Sequence, residues 1–361
     1  MTTAKRRRSR SPPATASSPY FPPELIPEVA SGLTSLQDLF ALRASCRAYR
    51  ALLPLTSSNL ASQAPLLLVG TGSMPYALFH PTLRRIHRFR LPRTLLANNG
   101  DYISTKFHQI GCRLAICETE FRSLGEERRT TRNSFSIVHL LTGERTCISS
   151  PPNRVFRVLL SGDLVLTLTC NSPETIQYCH LEAADWCVAA VAQPYSLEDL
   201  LYVNGVLYAL VEGTLRYRLA VVELSENDNS VELVFLGGYW DAGPLVHLAE
   251  CCGELILIEL VEVEPRACHV FQWKFGDAKW VRITSLGGCT LFVADDHFVG
   301  CLGPDHRGIR GDSVYVIEDS CGGWCEYSLL DGSFIRSDPK YSRAEVPSKT
   351  WAFTWLLPSL F

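Results

Sequence analysis

The sequence lacks the features that would place it at a membrane, in the secretory pathway or on a nucleic acid. No stretch of about 20 uncharged, apolar residues occurs, so no membrane-spanning helix is expected. The basic N-terminus has no apolar segment behind it, unlike a secretory signal peptide. A formal net charge of −3 over 361 residues does not suggest a nucleic-acid binder. We expect a soluble intracellular protein without membrane or nucleic-acid partners.

The motifs of common enzyme classes are also missing. The sequence contains no Gly-x-Ser-x-Gly elbow, no His-Glu-x-x-His helix and no Walker loop. The best candidate for a polar site is Asp295-Asp296-His297 followed by Asp305-His306, in a glycine-rich stretch. Such a group could bind a cation, but a polar loop between strands is the default interpretation. We predict a protein that is not an enzyme and that needs no cofactor or metal.

The cysteines give no metal-binding pattern either. There are 14, many of them among apolar neighbours, where a reduced thiol behaves as a small hydrophobic group. Cys251-Cys252 and the Cys321/Cys325 pair come nearest to metal-ligand spacing. Neither is followed by a second pair at zinc-finger spacing. Buried thiols are therefore predicted, rather than disulfides or zinc.

Residues 1–19 differ in composition from the rest of the chain. The segment MTTAKRRRSRSPPATASSP has no apolar periodicity and is rich in Arg, Ser and Pro, so it is predicted to be disordered. Its basic run indicates a nuclear-localisation signal, with a merely solvated tail as the alternative. The protein is accordingly expected in the nucleus, the cytoplasm or both. The residues of the predicted signal are Lys5, Arg6, Arg7, Arg8 and Arg10.

Residues 20–56 predict two or three short helices. Leu25, Ile26 and Val29 recur at helical spacing. Ser35 begins a capping pattern for a second helix, and Pro54 ends the helical stretch. So few residues cannot bury their apolar faces alone. The helices must pack on the rest of the chain or on a partner.

This segment, FPPELIPEVASGLTSLQDLFALRASCRAYRALLP, resembles an F-box, the module that docks a Skp-family adaptor of a cullin–RING ubiquitin ligase. It departs from the F-box pattern at Phe21 (usually Leu), at Tyr49 (usually Trp) and at Pro27, which fits only a helix beginning no earlier than about Glu24. The alternative is an ordinary helical hairpin packed on the downstream domain. The resemblance implies an adaptor-binding set of Phe21, Pro22, Leu25, Ile26, Val29, Leu33, Leu36, Leu39, Leu42, Cys46 and Tyr49.

Residues 66–361 predict an all-β domain. Short runs of β-branched and aromatic residues alternate with Gly, Asn and Asp, and no long amphipathic helix intervenes. A Gly-x-Leu-strand element recurs every roughly 40 to 50 residues, the length of a four-stranded propeller blade. Trp186 and Trp280 follow acidic turns and are expected to pack between blades. We predict a mainly β protein with a short N-terminal helical F-box and a six- or seven-bladed β-propeller. The repeated element lies at Gly111, Gly162, Gly205 and Gly253, with a degenerate copy at Gly300.

Further segments resemble plant F-box proteins with a KIB-type β-propeller. Within them, Asp331-Gly332 predicts a hairpin turn, and Trp351 and Trp355 are expected to seal the last blade. The basic cluster Arg84, Arg85, His87, Arg88 and Arg90 is interpreted as a solvated strand edge rather than a phosphate contact. The matching segments are LFHPTLRRIHRFRLP (78–92), ITSLGGCTLFVADD (283–296), GIRGDSVYVIED (308–319), YSLLDGSF (327–334) and SKTWAFTWLLPSL (348–360).

These resemblances imply a substrate-recognition subunit of a Skp–cullin–F-box ubiquitin ligase. The F-box would bind the adaptor, and the propeller would bind an unknown target protein. Two alternatives from other classes stay open: a propeller scaffold with a degenerate F-box, and a propeller enzyme or small-ligand receptor.

Overall fold

In a computed structural model of the chain, the described residues form four short helices followed by sheets. The helices are α1 (Leu25–Ser31), α2 (Leu36–Ser45), α3 (Arg47–Leu52) and α4 (Ser57–Leu60), and a 3-10 turn, Pro358–Leu360, lies near the C-terminus. Of the described helices, none has the length and apolar character needed to cross a bilayer. The structure describes residues 22–60, 62–71, 74–81, 85–88, 102–123, 129–169, 175–182, 185–191, 195–213, 216–240, 245–261, 266–294, 297–304, 306, 308–317, 323–337 and 351–360.

Three helices lie within residues 20–56, as the sequence predicted, and the fourth, α4, lies beyond that range and was not predicted. Helix α1 begins at Leu25, so Pro27 falls in the first turn, where a backbone N–H has no intrahelical partner to lose. Helix α2 starts directly after Ser35, although the Ser35 side chain makes no capping hydrogen bond. Cys46 separates α2 from α3, and its Sγ accepts a hydrogen bond from the Tyr49 backbone N–H at 3.4 Å.

The described strands form antiparallel meanders. The first and last strands of the chain share a sheet in the order β25-β1-β2-β3, which joins the two ends of the β domain. A second sheet has the order β4-β5-β6-β7. Strand bounds are β1 (Leu66–Thr71), β2 (Met74–His80), β3 (Arg85–Arg88), β4 (Tyr102–Ile110), β5 (Arg113–Ser123), β6 (Arg129–His139), β7 (Arg145–Ile148) and β25 (Trp351–Leu356).

The third sheet contains eight strands, but it consists of two four-stranded meanders. Strands β8 to β11 form one and β12 to β15 the other, and a short parallel pairing of β11 with β15 connects them. The bounds are β8 (Val155–Ser161), β9 (Leu164–Thr169), β10 (Thr175–His180), β11 (Cys187–Val191), β12 (Ser196–Val203), β13 (Val206–Glu212), β14 (Tyr217–Ser225) and β15 (Ser230–Trp240).

The last two sheets differ in topology. One is a simple meander, β16-β17-β18-β19, whereas the other has the order β21-β20-β22-β23-β24, with β20 and β22 parallel. The bounds are β16 (Leu245–Cys251), β17 (Glu254–Val261), β18 (Ala267–Lys274), β19 (Lys279–Ile283), β20 (Thr290–Ala294), β21 (His297–Leu302), β22 (Ser313–Ile317), β23 (Trp324–Ser328) and β24 (Phe334–Ser337).

The edge strand of each meander contacts the edge strand of the next. Strand β25 contacts β4, which contacts β8, and the series continues through β12, β16 and β21 back to β25. The protein is therefore mainly β, with a propeller-like, closed arrangement of sheets, as the repeat predicted.

The repeated glycines explain the sharp inner turns. Gly111, Gly162, Gly205 and Gly253 all follow one edge strand and precede the next strand, and all have positive φ, which glycine adopts without steric cost. The degenerate copy was wrongly interpreted as the same turn. Gly300 lies inside β21, where an added Cβ would fall 2.6 Å from Leu360 and 2.8 Å from Leu357.

Aromatic side chains join neighbouring sheets at two of the predicted places. Trp186, before β11, packs edge-on against Phe135 of β6, with ring centroids 5.5 Å apart. Trp355 of β25 is fully buried, and its Nε1 donates to the Val293 carbonyl of β20 at 3.2 Å. Trp280 instead packs against Trp273 of its own sheet.

Two smaller predictions can be placed as well. Gly332 has φ +67° between β23 and β24, which confirms the hairpin turn at Asp331-Gly332. Strand β3 forms the edge of its sheet, as expected for the basic cluster, while Arg84 and Arg90 lie outside the described residues.

Candidate functional site

The helices α1 to α4 form a compact unit, here called the helical module, around a core of their own. The apolar faces of the helices meet inside it, so that each helix supplies a side chain that is shielded from water. Burying a large aliphatic side chain contributes about 1.5–3 kcal/mol. The core consists of Ile26, Ala30, Leu39, Tyr49, Leu53 and Leu60.

The module also exposes large apolar side chains from each of its first three helices. Leu25 is 44% exposed and Val29 43% on α1, Phe40 is 41% exposed on α2, and Leu52 is 37% exposed on α3. We call these four residues the exposed apolar surface. Single exposed apolar residues are common, but here four lie between residues 25 and 52, and each presents apolar side-chain area to solvent.

Hydrogen bonds to the segment between α1 and α2 attach the helical module to the β domain. The Gln63 side-chain amide donates to the Leu33 carbonyl at 2.8 Å, and the Ala64 N–H donates to the Thr34 carbonyl at 3.0 Å. His80 of β2 also hydrogen-bonds the Thr34 carbonyl, at 3.1 Å. His306 reaches the Gln63 carbonyl at 2.9 Å.

Apolar contacts reinforce this attachment. Leu36, the first residue of α2, packs both against the core of the helical module and against the cluster between β1, β4, β5 and β6. Leu141, in the turn after β6, also packs against the helical core. The module is thus held in a defined orientation on the sheets while its exposed apolar surface faces solvent.

Burial divides the predicted adaptor-binding residues into three groups. Ile26, Leu39 and Tyr49 lie in the helical core. Pro22, Leu25 and Val29 are exposed, and Leu33, Leu36, Leu42 and Cys46 are half-buried. Phe21 lies outside the described residues, as do the basic residues 5–10.

Phe40 was missed because it does not lie on the apolar stripe that the helical spacing predicted, whereas Leu52 lies on that stripe but was not included in the adaptor-binding set.

A group of buried polar contacts joins β8, β12, β16 and β21, the edge strands through which neighbouring sheets contact one another. Arg157 of β8 and Asp199 of β12 are both buried, with the Arg157 Nε 3.4 Å from Asp199 Oδ1. Arg157 also donates to the carbonyls of Leu200, at 3.3 Å, and of Phe298 in β21, at 3.0 Å. Asp199 accepts from the backbone N–H groups of Leu200 and of Leu248 in β16, both at 2.8 Å.

The backbone aims both of these side chains inward. A register irregularity in β8 lies beside Arg157, and another in β12 lies beside Asp199. Such bulges redirect a side chain relative to the sheet. Burial raises the pKa of Asp199, and the positive charge of Arg157 together with the two backbone N–H donors opposes that rise. The pair joins four edge strands, so we assign it a structural role.

Two more candidates from the sequence, His297 and His306, lie among the described residues. His297 is buried in β21, with its ring centroid 4.5 Å from that of His108 in β4. His306 makes the contact to Gln63 described above. The two histidines therefore make different contacts, His297 with His108 and His306 with Gln63. Asp295, Asp296 and Asp305 lie outside the described residues.

A group of four thiols includes the Cys251-Cys252 pair that the sequence singled out, together with two cysteines, Cys289 and Cys301, that it did not. The Sγ atoms of Cys251, Cys252 and Cys289 lie within 4.8 Å of one another, and Cys301 Sγ lies 3.6 Å from Cys251 Sγ. The four come from two sheets, so no single local motif marks all four. Cys325 is buried in β23, and Cys321 lies outside the described residues.

The closed series of sheets, joined through the first and last described strands, defines a β-propeller protein that carries a helical module with an exposed apolar surface. Residues 78–334 match the family model described as KIB1-4 beta-propeller. The match covers more than half of the chain, and the chain therefore belongs to this family. No curated protein matches the chain in a sequence search.

Proposed function

We propose that this protein is a non-catalytic substrate-recognition subunit of a Skp–cullin–F-box ubiquitin ligase. The helical module binds the Skp-family adaptor, and the propeller binds the protein to be ubiquitylated. The exposed apolar surface carries the proposal, because Leu25, Val29, Phe40 and Leu52 present apolar area to solvent on helices whose own core is already complete.

The attachment of the module to the sheets supports a role in positioning. A receptor must hold its target at a defined distance and angle from the ligase, and a module on a flexible linker would not do so. The contacts of Leu36, Leu141, Gln63 and His80 tie the adaptor-binding helices to the propeller. Preorganisation of this kind also lowers the entropic cost of binding.

The division of the predicted residues by burial decides which substitutions can test the proposal. Leu25→Asp together with Val29→Asp places charges on the exposed apolar surface without touching the helical core. In a dry interface each charge would be uncompensated, so adaptor binding should be lost. Leu39→Asp would bury a charge in the core, and we expect it to unfold the helical module whether or not an adaptor exists.

The experiment is co-expression with a plant Skp-family adaptor followed by size-exclusion chromatography. Wild type should elute as a 1:1 complex, and the Leu25→Asp/Val29→Asp variant should elute without adaptor but with an unchanged thermal transition. Val234→Asp, at a similarly exposed apolar position on β15, is the matched control and should keep the complex. Wild-type protein that is folded and yet binds no adaptor would contradict the proposal and favour a propeller scaffold with a degenerate F-box.

We also propose six blades for the propeller. The support is the closed series of edge-strand contacts through β25, β4, β8, β12, β16 and β21, each strand belonging to one meander. In this arrangement the C-terminal strand β25 completes the first blade by pairing with β1 in full register from Leu66–Leu356 to Thr71–Trp351. Removing residues 351–361 should therefore abolish cooperative unfolding of the whole domain, as measured by calorimetry.

Target binding is assigned to the propeller, where two aromatic side chains are unusually open. Tyr239 is 64% exposed at the end of β15, and Phe275 is 59% exposed in the turn after β18. Phe275 packs edge-on against Trp273, whose ring also lies against Gly238. Aromatic residues are enriched in protein interfaces. Tyr239→Ala/Phe275→Ala should reduce target ubiquitylation while leaving the adaptor complex intact.

The basic run between Lys5 and Arg10 is proposed to direct nuclear import, with the remaining protein in the cytoplasm. Replacing Arg6, Arg7 and Arg8 by Ala in a fluorescent fusion should shift the protein toward the cytoplasm. An unchanged distribution would mean that the run is only a solvated tail.

A further inference from the structure

We propose that Cys251, Cys252, Cys289 and Cys301 form a thiolate site for one zinc ion that joins two neighbouring sheets of the propeller. The site is independent of adaptor binding. Its ligands come from the end of β16, from the turn after it, from the residue before β20 and from β21. These four residues are called the thiol cluster below.

The sulfur positions fit a tetrahedral ion. A zinc–sulfur bond of about 2.3 Å in tetrahedral geometry separates neighbouring sulfur atoms by about 3.8 Å. In the thiol cluster, Cys252 Sγ lies 3.6 Å from Cys289 Sγ, and Cys301 Sγ lies 3.6 Å from Cys251 Sγ. Cys251, Cys252 and Cys289 all lie within 4.8 Å of one another. Three of the four sulfur atoms are therefore already grouped, and Cys301 Sγ, which contacts Cys251 Sγ, would have to turn toward Cys252 and Cys289 to complete the tetrahedron.

Rigid backbone holds most of the ligands in place. Cys251 pairs with Glu254 at the end of the β16–β17 ladder, and Cys301 pairs with Leu291 in the β20–β21 ladder. The Cys289 N–H donates to the Leu286 carbonyl, and its carbonyl accepts from the Asp312 N–H at 2.9 Å. Ligands on hydrogen-bonded strands keep their separation in the absence of metal, which favours binding.

The backbone of Cys252 is a second, independent observation. Cys252 has φ +53° and precedes Gly253 in the turn after β16. The turn after β12 has the same two positive-φ positions, and there Asn204 (φ +50°) precedes Gly205. Asn tolerates this left-handed conformation, whereas Cys does so at an energetic cost. Strain of this kind concentrates at functional positions, and a metal ligand at Cys252 accounts for it.

Accessibility and chemistry both suit zinc. Cys251 and Cys289 are buried, and Cys252 is exposed, so an ion can enter from the side of the turn. Thiolates are the preferred ligands of zinc in closed structural sites. On binding, each thiol gives up its proton to solvent as a sulfur–zinc bond forms, so four S–H bonds break and four protons are released. No electron is transferred.

The test uses a variant that should not harm the fold. Cys252→Asn introduces the residue type of the neighbouring turn, so it relieves the strained position while removing one ligand. Cys147→Ser, at an exposed cysteine of β7, is the matched control. Full-length proteins are purified in a reductant that does not bind metal, and zinc per chain is measured by elemental mass spectrometry after desalting.

We expect one zinc ion per chain in wild type and in Cys147→Ser, and a clear loss of zinc in Cys252→Asn. In zinc-free buffer with chelator, Cys252→Asn should unfold at the same temperature as wild type or at a higher one, and only wild type should be stabilised by added zinc. Cobalt exchanged into wild type should show the visible bands of tetrahedral thiolate coordination.

Three outcomes would overturn the proposal. One is wild type without zinc and without stabilisation by added zinc. Another is Cys252→Asn that retains zinc as wild type does. The third is a metal-free wild type whose intact mass is two hydrogens lower without reductant, which would mean that the cluster forms a disulfide instead.

Discussion

The buried pair Arg157–Asp199 makes the clearest energetic prediction for the fold. Asp199→Ala would remove a carboxylate that accepts two backbone N–H donors at 2.8 Å and faces the Arg157 guanidinium at 3.4 Å. Each hydrogen bond to a charged group is worth about 1.5–3 kcal/mol. The variant would also leave Arg157 charged and buried. Breaking a buried pair from one side costs about 3–5 kcal/mol, and we expect a loss of that size in the free energy of unfolding.

The assay is urea-induced unfolding followed by tryptophan fluorescence. Asp277→Ala is the matched control, because its partner Lys279 and Asp277 itself are both well exposed, and surface substitutions stay within about 0.5 kcal/mol. Arg157→Met added to Asp199→Ala removes the uncompensated charge. The double variant should therefore be more stable than the sum of the single effects, by about 1 kcal/mol or more.

Two results would refute this reasoning. A loss below about 1 kcal/mol for Asp199→Ala would mean that the pair does not hold the edge strands together. Strict additivity of the two substitutions would mean that Arg157 and Asp199 do not depend on each other.

Three further predictions concern the closure, the turns and a surface histidine. Trp355→Ala should cost about 3–5 kcal/mol in the same unfolding assay, because the ring is fully buried between β25 and β20; a cost below about 1 kcal/mol would contradict this closure. Gly205→Ala, at φ +80°, should cost about 1–2 kcal/mol, whereas Gly276→Ala, without positive φ or close neighbours, should be near neutral; equal effects would remove the argument from backbone conformation. Hydrogen bonds to Glu226 and Asp163 raise the pKa of His180, so its NMR titration midpoint should lie above the ordinary value of about 6.5. The stabilisation by His180, measured against His180→Asn, should be fully present below that ordinary value and disappear as pH rises through the raised pKa; a midpoint at or below the ordinary value would contradict it.

The β domain was predictable because its repeat is local. Gly111, Gly162, Gly205 and Gly253 each mark a turn between adjacent strands, and both the strand pattern and the turn are written in a few consecutive residues. The same reasoning failed at Gly300. In its sheet the strand order is β21-β20-β22-β23-β24, so β21 pairs only with β20 and does not lie between β20 and β22 as it would in a simple meander. The spacing of glycines along the chain does not reveal that the order of the strands in the sheet differs from their order in the sequence.

The candidate site was only partly predictable, for a related reason. Helical spacing identifies the apolar stripe, but it does not say whether Ile26 and Leu39 face the module's own core or a partner. The structure places both in the core and leaves Leu25 and Val29 exposed. The Arg157–Asp199 pair was beyond sequence reasoning, since it joins two different four-stranded meanders that no motif spacing connects. Of the thiol cluster, the sequence marked only the adjacent Cys251 and Cys252.

The proposed function depends on adaptor binding by the exposed apolar surface of the helical module. The most direct measurement is a calorimetric titration of a purified Skp-family adaptor into the full-length protein, with wild type, Leu25→Asp/Val29→Asp and Val234→Asp compared in parallel. We predict saturable 1:1 binding for wild type and Val234→Asp, and no binding for the double variant at an unchanged unfolding temperature. Equal binding by all three proteins would place the adaptor elsewhere, and no binding by folded wild type would contradict the ligase-receptor assignment itself.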